Sequence, residues 1–446
     1  MVGQLPGQCT DIAKDALIHP AQDWFKVDAL LSDAIERGLL SGAATAIWRG
    51  HAAVHGSAIG WRDVAARDPM QEDSIFRLYS MTKPVTAVAM MILWDEGKWS
   101  PSDPIADHLP ELADLLVLEQ GLFPDTLPLV PPASPPTLEH LMTHQAGFAY
   151  GFTDEPVDRL FRAAHVPAIP HDISAREYLK RLAQVPLAFH PGTGWRYGAS
   201  MDVQGIIVEC LSGMSLRDFM RERIFDPLGM VDTDFIVPEE KRHRLATLYS
   251  LAGDTLIEVS RDDEELNYEN ISGLTPRDVV LPYDSAPLLA SGGGGLASTA
   301  GDYLRFGRML LGQGELDGKR IISREAAALM MHSHTPDHLL IGGFGTPPHS
   351  LRPGYEYAYN GVTITDPQQA GVRLGRGTYF WDGAAGCWFW ADPQNDVVFV
   401  CMVQLLTDAD RLSLQFRSRD VVADILAAID RHDTAPSLSI HGGGRQ

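Results

Sequence analysis

The chain carries at residues 80–94 the stretch SMTKPVTAVAMMILW, in which a serine and a lysine stand three positions apart at the start of an apolar run. Residues three apart lie on the same face of a helix, so the Lys83 ammonium can reach the Ser80 hydroxyl. The positive end of the helix dipole favours negative charge on the Ser80 oxygen. This spacing is typical of a serine nucleophile activated by lysine. A solvated serine at a helix start gives the same pattern, so the neighbouring segments must decide.

Two further segments supply the base, proton relay and oxyanion site that a serine needs to attack a carbonyl. Residues 191–197, PGTGWRY, form a turn that presents Tyr197 just before a predicted helix. Lys83 beside Tyr197 is expected to lower the pKa of the phenol, so that the phenolate takes the Ser80 proton. Residues 381–386, WDGAAG, are expected to run along the site as an edge strand. The backbone N–H groups of Ser80 and Ala384 would then form the oxyanion hole.

Five segments occur in a characteristic order: LYSMTK at 78–83, LMTHQAGF at 141–148, WRYGASMD at 195–202, a glycine-rich segment at 292–302, and WDGAAG at 381–386. On these segments the chain resembles the serine β-lactamase-like superfamily, and within it the class C β-lactamases and the family VIII carboxylesterases. The resemblance covers roughly residues 24–429. It implies that Ser80 is the acyl-enzyme nucleophile, that Lys83 and Tyr197 are the base pair, and that no metal or organic cofactor takes part.

Two departures from the lactamase pattern bear on the substrate. The family's Tyr-x-Asn has become Tyr197-Gly198-Ala199, which lacks the amide that helps hold a β-lactam side chain. The family's Lys-Thr-Gly is replaced by Trp381, Asp382 and Gly383, so the cation that would attract a drug carboxylate is absent from that motif. Both changes favour uncharged esters. Asp382 is unusual even among the esterases, and its side chain is expected on the outer face of the sheet.

The candidate acyl pocket consists of aromatic residues near these motifs: Phe148, Tyr150, Phe152, Trp381, Trp388 and Trp390. Alternating aromatics in a strand are more often core, so about two of the six are expected to touch substrate. His144 could be read as catalytic, but the resemblance implies that it belongs to a structural loop. Asp202 has two interpretations: it orients the Tyr197 region, or it is an exposed acid in the first helical turn.

The remaining motifs predict neither a phosphate nor a metal site. The glycines at 292–295 lack the lysine and spacing of a phosphate-binding loop, which favours close backbone packing. The histidines show no HExxH pairing, and the cysteines show no CxxC or metal-ligand spacing. The expectation is reduced core thiols, with a Cys387–Cys401 disulfide as the alternative because both cysteines fall in one predicted hairpin.

The order of predicted elements indicates an α/β fold of the α+β kind, with an antiparallel sheet flanked by helices and an inserted helical domain. A helix at 24–40, a hairpin at 42–62, a hairpin around 392–395 and a helix at 411–429 require the chain ends to meet in one sheet. The predicted sheet domain is residues 24–98 and 290–432, the inserted domain is 99–289, and residues 1–23 and 433–446 are terminal extensions. Thr137 is a predicted helix cap, as is either Thr299 or Ser298, and residues 238–287 are predicted to be an irregular connection over the site.

Composition excludes several classes of partner. The chain has 446 residues, 45% of them hydrophobic, and a formal net charge of −22 without a basic cluster, which argues against nucleic acid. The best candidate for a membrane-spanning segment, 397–406, is about half the roughly 20 residues needed to span a bilayer. With no basic segment preceding an apolar run near residue 1, a cytoplasmic location is expected. The oligomeric state is not indicated.

The sequence therefore predicts a serine carboxylesterase that acts through an acyl-enzyme on Ser80, and the resemblance implies that its substrates are small-acyl esters. Three alternatives stay open. A β-lactamase or D-amino-acid peptidase or amidase would use the same residues, as would an acyltransferase that passes the acyl group to an alcohol. A non-catalytic binding protein would have kept the fold alone.

Overall fold

The computed structural model describes residues 23–119, 128–263, 275–340, 351–406 and 413–433. Its strands are β1 Gly42–Arg49, β2 Ala52–Asp63, β3 Asp68–Pro69, β4 Phe76–Arg77, β5 Val117–Leu118, β6 Leu129–Val130, β7 Tyr249–Ala252, β8 Thr255–Glu258, β9 Ala297–Ser298, β10 Glu315–Leu316, β11 Lys319–Arg320, β12 Tyr355–Tyr357, β13 Val362–Ile364, β14 Tyr379–Asp382, β15 Trp388–Asp392, β16 Val397–Met402 and β17 Leu405–Leu406. Its α-helices are α1 Phe25–Glu36, α2 Thr82–Asp95, α3 Ile105–His108, α4 Leu138–Met142, α5 Pro156–Ala163, α6 Ala175–Leu182, α7 Ser200–Ser212, α8 Leu216–Met220, α9 Asp226–Leu228, α10 Pro276–Val279, α11 Ala300–Leu311, α12 Arg324–Met331, α13 Asp337–Leu340, α14 Pro367–Ala370 and α15 Leu414–Asp433.

The main sheet is antiparallel, with strand order β12-β13-β14-β15-β16-β1-β2-β3. The pairing of β1 with β16 places Ala44 opposite Met402 and Ile47 opposite Phe399, so the two ends of the chain complete one sheet. Helix α11 packs against β16, β1 and β15, whereas α1 packs against α15 and β2. The α+β fold with an antiparallel sheet and flanking helices is thereby confirmed.

Helix α11 lies unusually close to the sheet. A side chain at Gly307 would overlap Val398 of β16, so only glycine allows this approach. The predicted cap of this helix is confirmed, because the Thr299 hydroxyl accepts a hydrogen bond from the Asp302 N–H at 3.1 Å. The Thr137 cap of α4 is also confirmed, with its hydroxyl accepting from the His140 N–H.

The segment between β4 and β9 is mainly helical and carries α2 to α10. Strand β4 pairs with β9, so the two ends of this segment lie side by side, next to the residues that precede Ser80. Helix α7 packs against α2, α4 and α8 and forms the centre of the helical part. The proposed division into a sheet domain and an inserted domain stays a prediction.

Two expectations are wrong: that residues 238–287 are irregular, and that the strand at WDGAAG is an edge strand. Within residues 238–287, strands β7 and β8 form a hairpin, and β17 adds to it in parallel through Leu405 opposite Tyr249. Four-residue strands are too short to show a sustained period, which is why the sequence did not reveal them. Strand β14 is not an edge strand, since it lies between β13 and β15. Its pairing with β13 ends at Phe380, so Trp381 and Asp382 extend beyond that neighbour.

The expectation of reduced core thiols is confirmed for two cysteines and wrong for a third. Cys387 and Cys401 are buried free thiols, so the alternative disulfide is wrong. Cys387 is held as a thiol donor to the Val403 carbonyl at 3.1 Å. Cys210 is exposed instead of being part of the core, and Cys9 lies outside the described residues. Among the helices of the described ranges, none is both long and apolar enough to cross a membrane.

Candidate active site

Ser80 lies in a tight turn between β4 and α2. Residues Tyr79–Met81 form a single 3₁₀ turn, and the α-helix begins at Thr82. Tyr79 has a φ of 46°, in the left-handed region that a tyrosine rarely adopts, and its buried ring packs with Leu248 and Val280. This packing and the Leu78 N–H bond to the Leu296 carbonyl hold the strained turn. The turn orients Ser80 towards the helical part of the molecule.

The structure brings Lys83 and Tyr197 to the same oxygen. The Lys83 ammonium nitrogen lies 3.1 Å from Ser80 Oγ, and the Tyr197 hydroxyl donates to Ser80 Oγ at 2.6 Å. Tyr197 reaches this position because Gly198, which follows it, has no side chain and can lie against the Phe148 backbone. A side chain at Gly198 would overlap the Phe148 carbonyl. Arg196 anchors the same turn by donating to Asp158 at 2.8 Å.

Lys83 is fully buried and makes no direct ion pair among the hydrogen bonds described for it. Its Nζ donates to the Gly293 carbonyl at 2.6 Å and lies 4.6 Å from the centre of the Tyr197 ring. Burial lowers the pKa of Lys83 from 10.5 to about 7, while the charges of Asp202 and Asp382 oppose this shift. A substantial fraction of Lys83 is therefore a neutral amine near neutral pH, and a neutral amine can accept a proton from Ser80.

The expected lowering of the Tyr197 pKa is wrong. Burial raises the pKa of Tyr197 well above its ordinary value, and the hydrogen bonds with Ser80 and Trp381 only partly offset this. A Lys83 side chain that carries only part of a positive charge near neutral pH gives a phenolate less stabilisation than a fully charged lysine would. Tyr197 is consequently a neutral hydroxyl that donates to Ser80, and the basic member of the pair is Lys83.

Sequence reasoning did not find how Asp202 and the glycine-rich segment act together. Asp202 is fully buried, so the exposed interpretation is wrong, and its hydrogen bonds reach Ser291, Gly293 and Tyr150 instead of Tyr197. Side chains at Gly292 and Gly293 would overlap the Met201 carbonyl and the Tyr150 hydroxyl, respectively. The expectation of close backbone packing is thus confirmed. The signal available in the sequence was the run of glycines itself.

The carboxyl end of β14 lies beside the nucleophile. A side chain at Gly383 would overlap the Leu78 carbonyl and lie 3.7 Å from the Ser80 nitrogen, so this position requires glycine. Half-buried Ala384 follows and packs in the cluster that contains the Tyr79 ring. The backbone N–H groups of Ser80 and Ala384 as an oxyanion hole stay a prediction.

Trp381 and Asp382 point to opposite faces of the sheet. Trp381 is fully buried on the site side, with its ring centre 6.0 Å from that of Tyr197 and 5.5 Å from that of Tyr357. Asp382 faces α15, where the Gln415 amide donates to it at 3.1 Å and in turn accepts from Arg419. This is the outer-face position that was expected for Asp382.

The remaining candidate aromatics divide into two groups. Tyr150 lies with its ring 5.3 Å from Lys83 Nζ and stacks on half-buried Phe152 at 4.8 Å. Phe148 is buried and meets the site through its backbone carbonyl at Gly198. Trp388 and Trp390 instead stack on Phe399 in the core of the sheet.

His144 packs against Tyr197 without reaching Ser80 through any hydrogen bond described for it. Its ring lies 4.8 Å from the Tyr197 ring, and its Nδ1 accepts from the Gly198 N–H at 3.4 Å. The residue supports the loop that presents Tyr197, in keeping with the structural assignment. In the described parts of the chain, no group of three or more His, Cys, Asp or Glu side chains is arranged to hold a metal ion.

The site therefore combines a hydroxyl, a buried amine of low pKa and a neutral phenol at one point. These groups can generate a serine alkoxide and return a proton to a leaving group. The same three groups serve acyl transfer to water or to another acceptor, so the site defines acyl-transfer chemistry on a serine.

The comparisons with known proteins agree with this class. The Beta-lactamase family profile matches residues 27–423, so the chain belongs to the β-lactamase family. The earlier resemblance to the serine β-lactamase-like superfamily is thereby confirmed, as is the prediction of a serine hydrolase. The relatives that the chain matches include proteins named as esterases and proteins named as acyltransferases.

Three relatives illustrate the range. Protein Rv1367c of Mycobacterium tuberculosis is 36% identical over 385 residues, covering 85% of this chain and 90% of the relative. Esterase EstB of Burkholderia gladioli is 29% identical, covering 82% and 86%. The solved structure of EstCE1, described as a hydrolase with promiscuous acyltransferase activity, superposes with a TM-score of 0.73 at 25% identity, covering 90% of this chain and 99% of EstCE1.

Proposed function

We propose that the protein is a carboxylesterase that hydrolyses uncharged, small-acyl esters through an acyl-enzyme on Ser80. The observation that carries the proposal is the position of Ser80 Oγ between Lys83 Nζ at 3.1 Å and the Tyr197 hydroxyl at 2.6 Å. The pKa of about 7 for Lys83 gives the site a base suited to neutral pH.

In the first half of the reaction, Ser80 Oγ attacks the ester carbonyl while its proton passes to the neutral Lys83 amine. The oxyanion is bound by the N–H groups of Ser80 and Ala384. The tetrahedral intermediate collapses as the Tyr197 hydroxyl gives its proton to the departing alkoxide and recovers one from the Lys83 ammonium. The products are a free alcohol and an ester of Ser80, and Lys83 is neutral again.

In the second half, water takes the place of the alcohol. The neutral Lys83 amine, through Tyr197, accepts a proton from the water as its oxygen attacks the acyl-enzyme carbonyl. Collapse of the second intermediate returns a proton to Ser80 Oγ and releases the carboxylic acid. The high pKa of Tyr197 suits this role, because a neutral phenol can donate and recover a proton within one cycle.

The substrate class is supported by the wall at β14. Trp381 occupies the position where the lactamase pattern has a lysine, and its buried indole presents an apolar surface beside Tyr197. The Asp382 side chain is turned towards α15, so its carboxylate does not lie on the apolar side of that wall. A large apolar surface without a compensating cation favours uncharged acyl groups over carboxylate-bearing lactams. The name of the EstB relative is consistent with an esterase.

The direct test compares hydrolysis of p-nitrophenyl acetate and butyrate with that of nitrocefin, for the wild type and Ser80→Ala. We expect ester turnover that falls by at least about 10³-fold in Ser80→Ala, and little nitrocefin turnover. Ser285→Ala, at an exposed serine, is the matched control and should keep full activity. A serine-directed phosphonate should add one equivalent to the wild type and none to Ser80→Ala. Ester turnover that survives in Ser80→Ala would overturn the proposal.

Acyl transfer to an alcohol is the second candidate, favoured by the description of the EstCE1 relative as a hydrolase with acyltransferase activity. Addition of short alcohols to the p-nitrophenyl butyrate assay separates the two. Nitrophenol release that exceeds free butyrate, with the butyrate ester of the added alcohol as the difference, would indicate transfer. Equal amounts of nitrophenol and butyrate would indicate hydrolysis.

A further inference from the structure

Asp202 is a buried acid with three hydrogen-bond donors around it. Its Oδ1 accepts from the Ser291 hydroxyl at 2.5 Å and from the Gly293 N–H at 3.1 Å, and its Oδ2 accepts from the Tyr150 hydroxyl at 3.2 Å. A carboxylate can accept all three bonds, whereas a carboxylic acid would have to donate one. Burial raises the pKa of Asp202, and these donors together with Lys83 oppose the shift.

The Gly293 peptide unit connects Asp202 to the reacting groups. Its N–H donates to Asp202, while the carbonyl of the same residue accepts from Lys83 Nζ at 2.6 Å. Ser291 secures the segment from the other side, because its hydroxyl also accepts from the Gly294 N–H at 3.0 Å. A side chain at Gly293 would overlap the Tyr150 hydroxyl, so the segment has little room to shift.

Lys83 has four rotatable side-chain bonds and only two hydrogen-bond partners described, Ser80 and Gly293. A long flexible amine in a buried site needs a fixed acceptor to remain within reach of the nucleophile. Gly293 is that acceptor, and its N–H is held by Asp202.

We propose that Asp202 is a positioning residue that holds the Gly293 carbonyl and thereby keeps Lys83 on the Ser80 hydroxyl. The inference rests on the proposed function, since it assigns Lys83 as the base in that reaction. Asp202 touches neither Ser80 nor Tyr197 through its described hydrogen bonds, so it acts through the Gly293 peptide and through its charge.

The charge of Asp202 gives the proposal a second, independent readout. Lys83 is faced by Asp202 from α7, by Tyr197 and by Tyr150, and Asp202 is also near Tyr178 of α6. The charge of Asp382 also acts on Lys83, from the other face of the sheet at β14. The negative charge of Asp202 raises the pKa of Lys83 against the effect of burial. Removal of that charge would lower the Lys83 pKa below about 7. The acidic limb of the pH–rate profile, which is the rise of kcat/KM with pH as Lys83 loses its proton, would then move to lower pH.

Two variants at this position separate position from charge. Asp202→Asn keeps the shape and an acceptor oxygen for Ser291 and Gly293 but removes the charge. We expect its acidic limb in kcat/KM to move at least about half a pH unit towards acid, with less than about tenfold loss of kcat. Asp202→Ala also removes the acceptor, and we expect kcat to fall about 10²-fold with KM within about threefold.

Asp302→Asn is the matched control, because Asp302 is a second buried acid that accepts from the backbone N–H of Asp232 and from Thr233, away from Lys83. It should leave the pH limb unmoved. If Asp202→Ala fails to fold, Ser291→Ala removes one tether of the same segment and should lower kcat by several-fold without moving the limb.

The outcomes distinguish this inference from the proposed function. Loss of ester turnover in Ser80→Ala must first establish the nucleophile. If it does, wild-type kcat in Asp202→Ala or an unmoved limb in Asp202→Asn would overturn the role of Asp202 alone. If Ser80→Ala retains turnover, the proposed function itself fails.

Discussion

Lys83 and Arg244 are both largely buried cations, but they meet different partners. Lys83 donates to a hydroxyl and a backbone carbonyl, and burial lowers its pKa to about 7. Arg244 forms a two-pronged bond with Asp232, at 3.0 and 2.6 Å, with 14% and 13% of the two side chains exposed. The bond with Asp232 raises the pKa of Arg244.

The contrast teaches what makes a buried cation chemically useful. A directly paired guanidinium stays charged and ties segments together: Arg244 joins the 3₁₀ turn Glu239–Arg244 to Asp232 and to the Asp73 carbonyl. A buried amine whose hydrogen-bond partners are all neutral oxygens has a lowered pKa, because no neighbouring charge compensates the loss of hydration of its charged form. Asp202 acts on Lys83 from behind the Gly293 peptide, so it moderates the lowering of the pKa without forming a pair.

Lys83→Arg is the substitution with the largest expected effect. Arginine keeps its proton at all accessible pH values, so it cannot accept the Ser80 proton, and kcat/KM should fall by about 10³-fold or more. Because arginine is also larger, Lys83→Met is the second variant and should show the same loss. Steady-state hydrolysis of p-nitrophenyl butyrate measures both.

Arg244→Lys provides the control on the other side of the comparison and should keep kcat/KM within about threefold. Retention of more than about a tenth of the wild-type rate in Lys83→Arg would contradict the role of Lys83 as base.

The next largest effect is on stability and is expected at Arg244. Arg244→Met leaves Asp232 buried with Lys241 as its one remaining cationic partner among the described residues, and the free energy of unfolding should fall by about 3 kcal/mol. Lys83→Met should act in the opposite direction, since it removes a desolvated amine. Guanidinium denaturation monitored by tryptophan fluorescence measures both. Arg277→Met, at an exposed pair with Asp262, is the control and should give no resolvable change.

The pH dependence of stability tests the Lys83 pKa directly. Between pH 7 and pH 10.5 the unfolded chain holds more protons on this lysine than the folded chain does, so stability should rise with pH over that window. Relative to Lys83→Met, the wild type should gain about 2 kcal/mol in unfolding free energy from pH 7 to pH 9. An equal dependence of the unfolding free energy on pH in the two proteins would mean that the pKa of Lys83 is not lowered in the folded state.

The local part of this site could be predicted from sequence, because it depends on helical spacing. Ser80 and Lys83 fall on one helix face at any tertiary arrangement, and the resemblance added Tyr197 from a separate segment. The link from Asp202 to Gly293 spans 91 positions and depends on how α7 packs beneath the glycine segment, which no local pattern specifies. The predicted direction of the shift in the Tyr197 pKa was wrong for the same reason, since depth of burial is a property of the whole fold.

The backbone at Tyr79 and the place of β14 were hidden for different reasons. A positive φ is expected at glycine or asparagine, so a tyrosine gives no sign of the strained turn that precedes Ser80. The WDGAAG segment showed that a strand borders the site, but the neighbours of β14 are set by the short strands β12 and β13, which sequence patterns do not resolve. The central strands β1, β2, β15 and β16 were predictable because their two hairpins carry clear turns.

The smallest expected effect concerns a hydrogen bond with no charged partner, and it gives the scale for judging the two cations. The Thr299 hydroxyl caps α11 by accepting from the Asp302 N–H at 3.1 Å, in a buried position. Thr299→Val keeps the shape and removes the oxygen, so the unfolding free energy should fall by about 1 kcal/mol. Thr299→Ser keeps the oxygen and should lose less than half as much, with kcat within about twofold in both. Equal losses in the valine and serine variants would show that the methyl group, and not the cap, stabilises this helix end; the loss at Arg244 could then no longer be ranked against a neutral bond of known size.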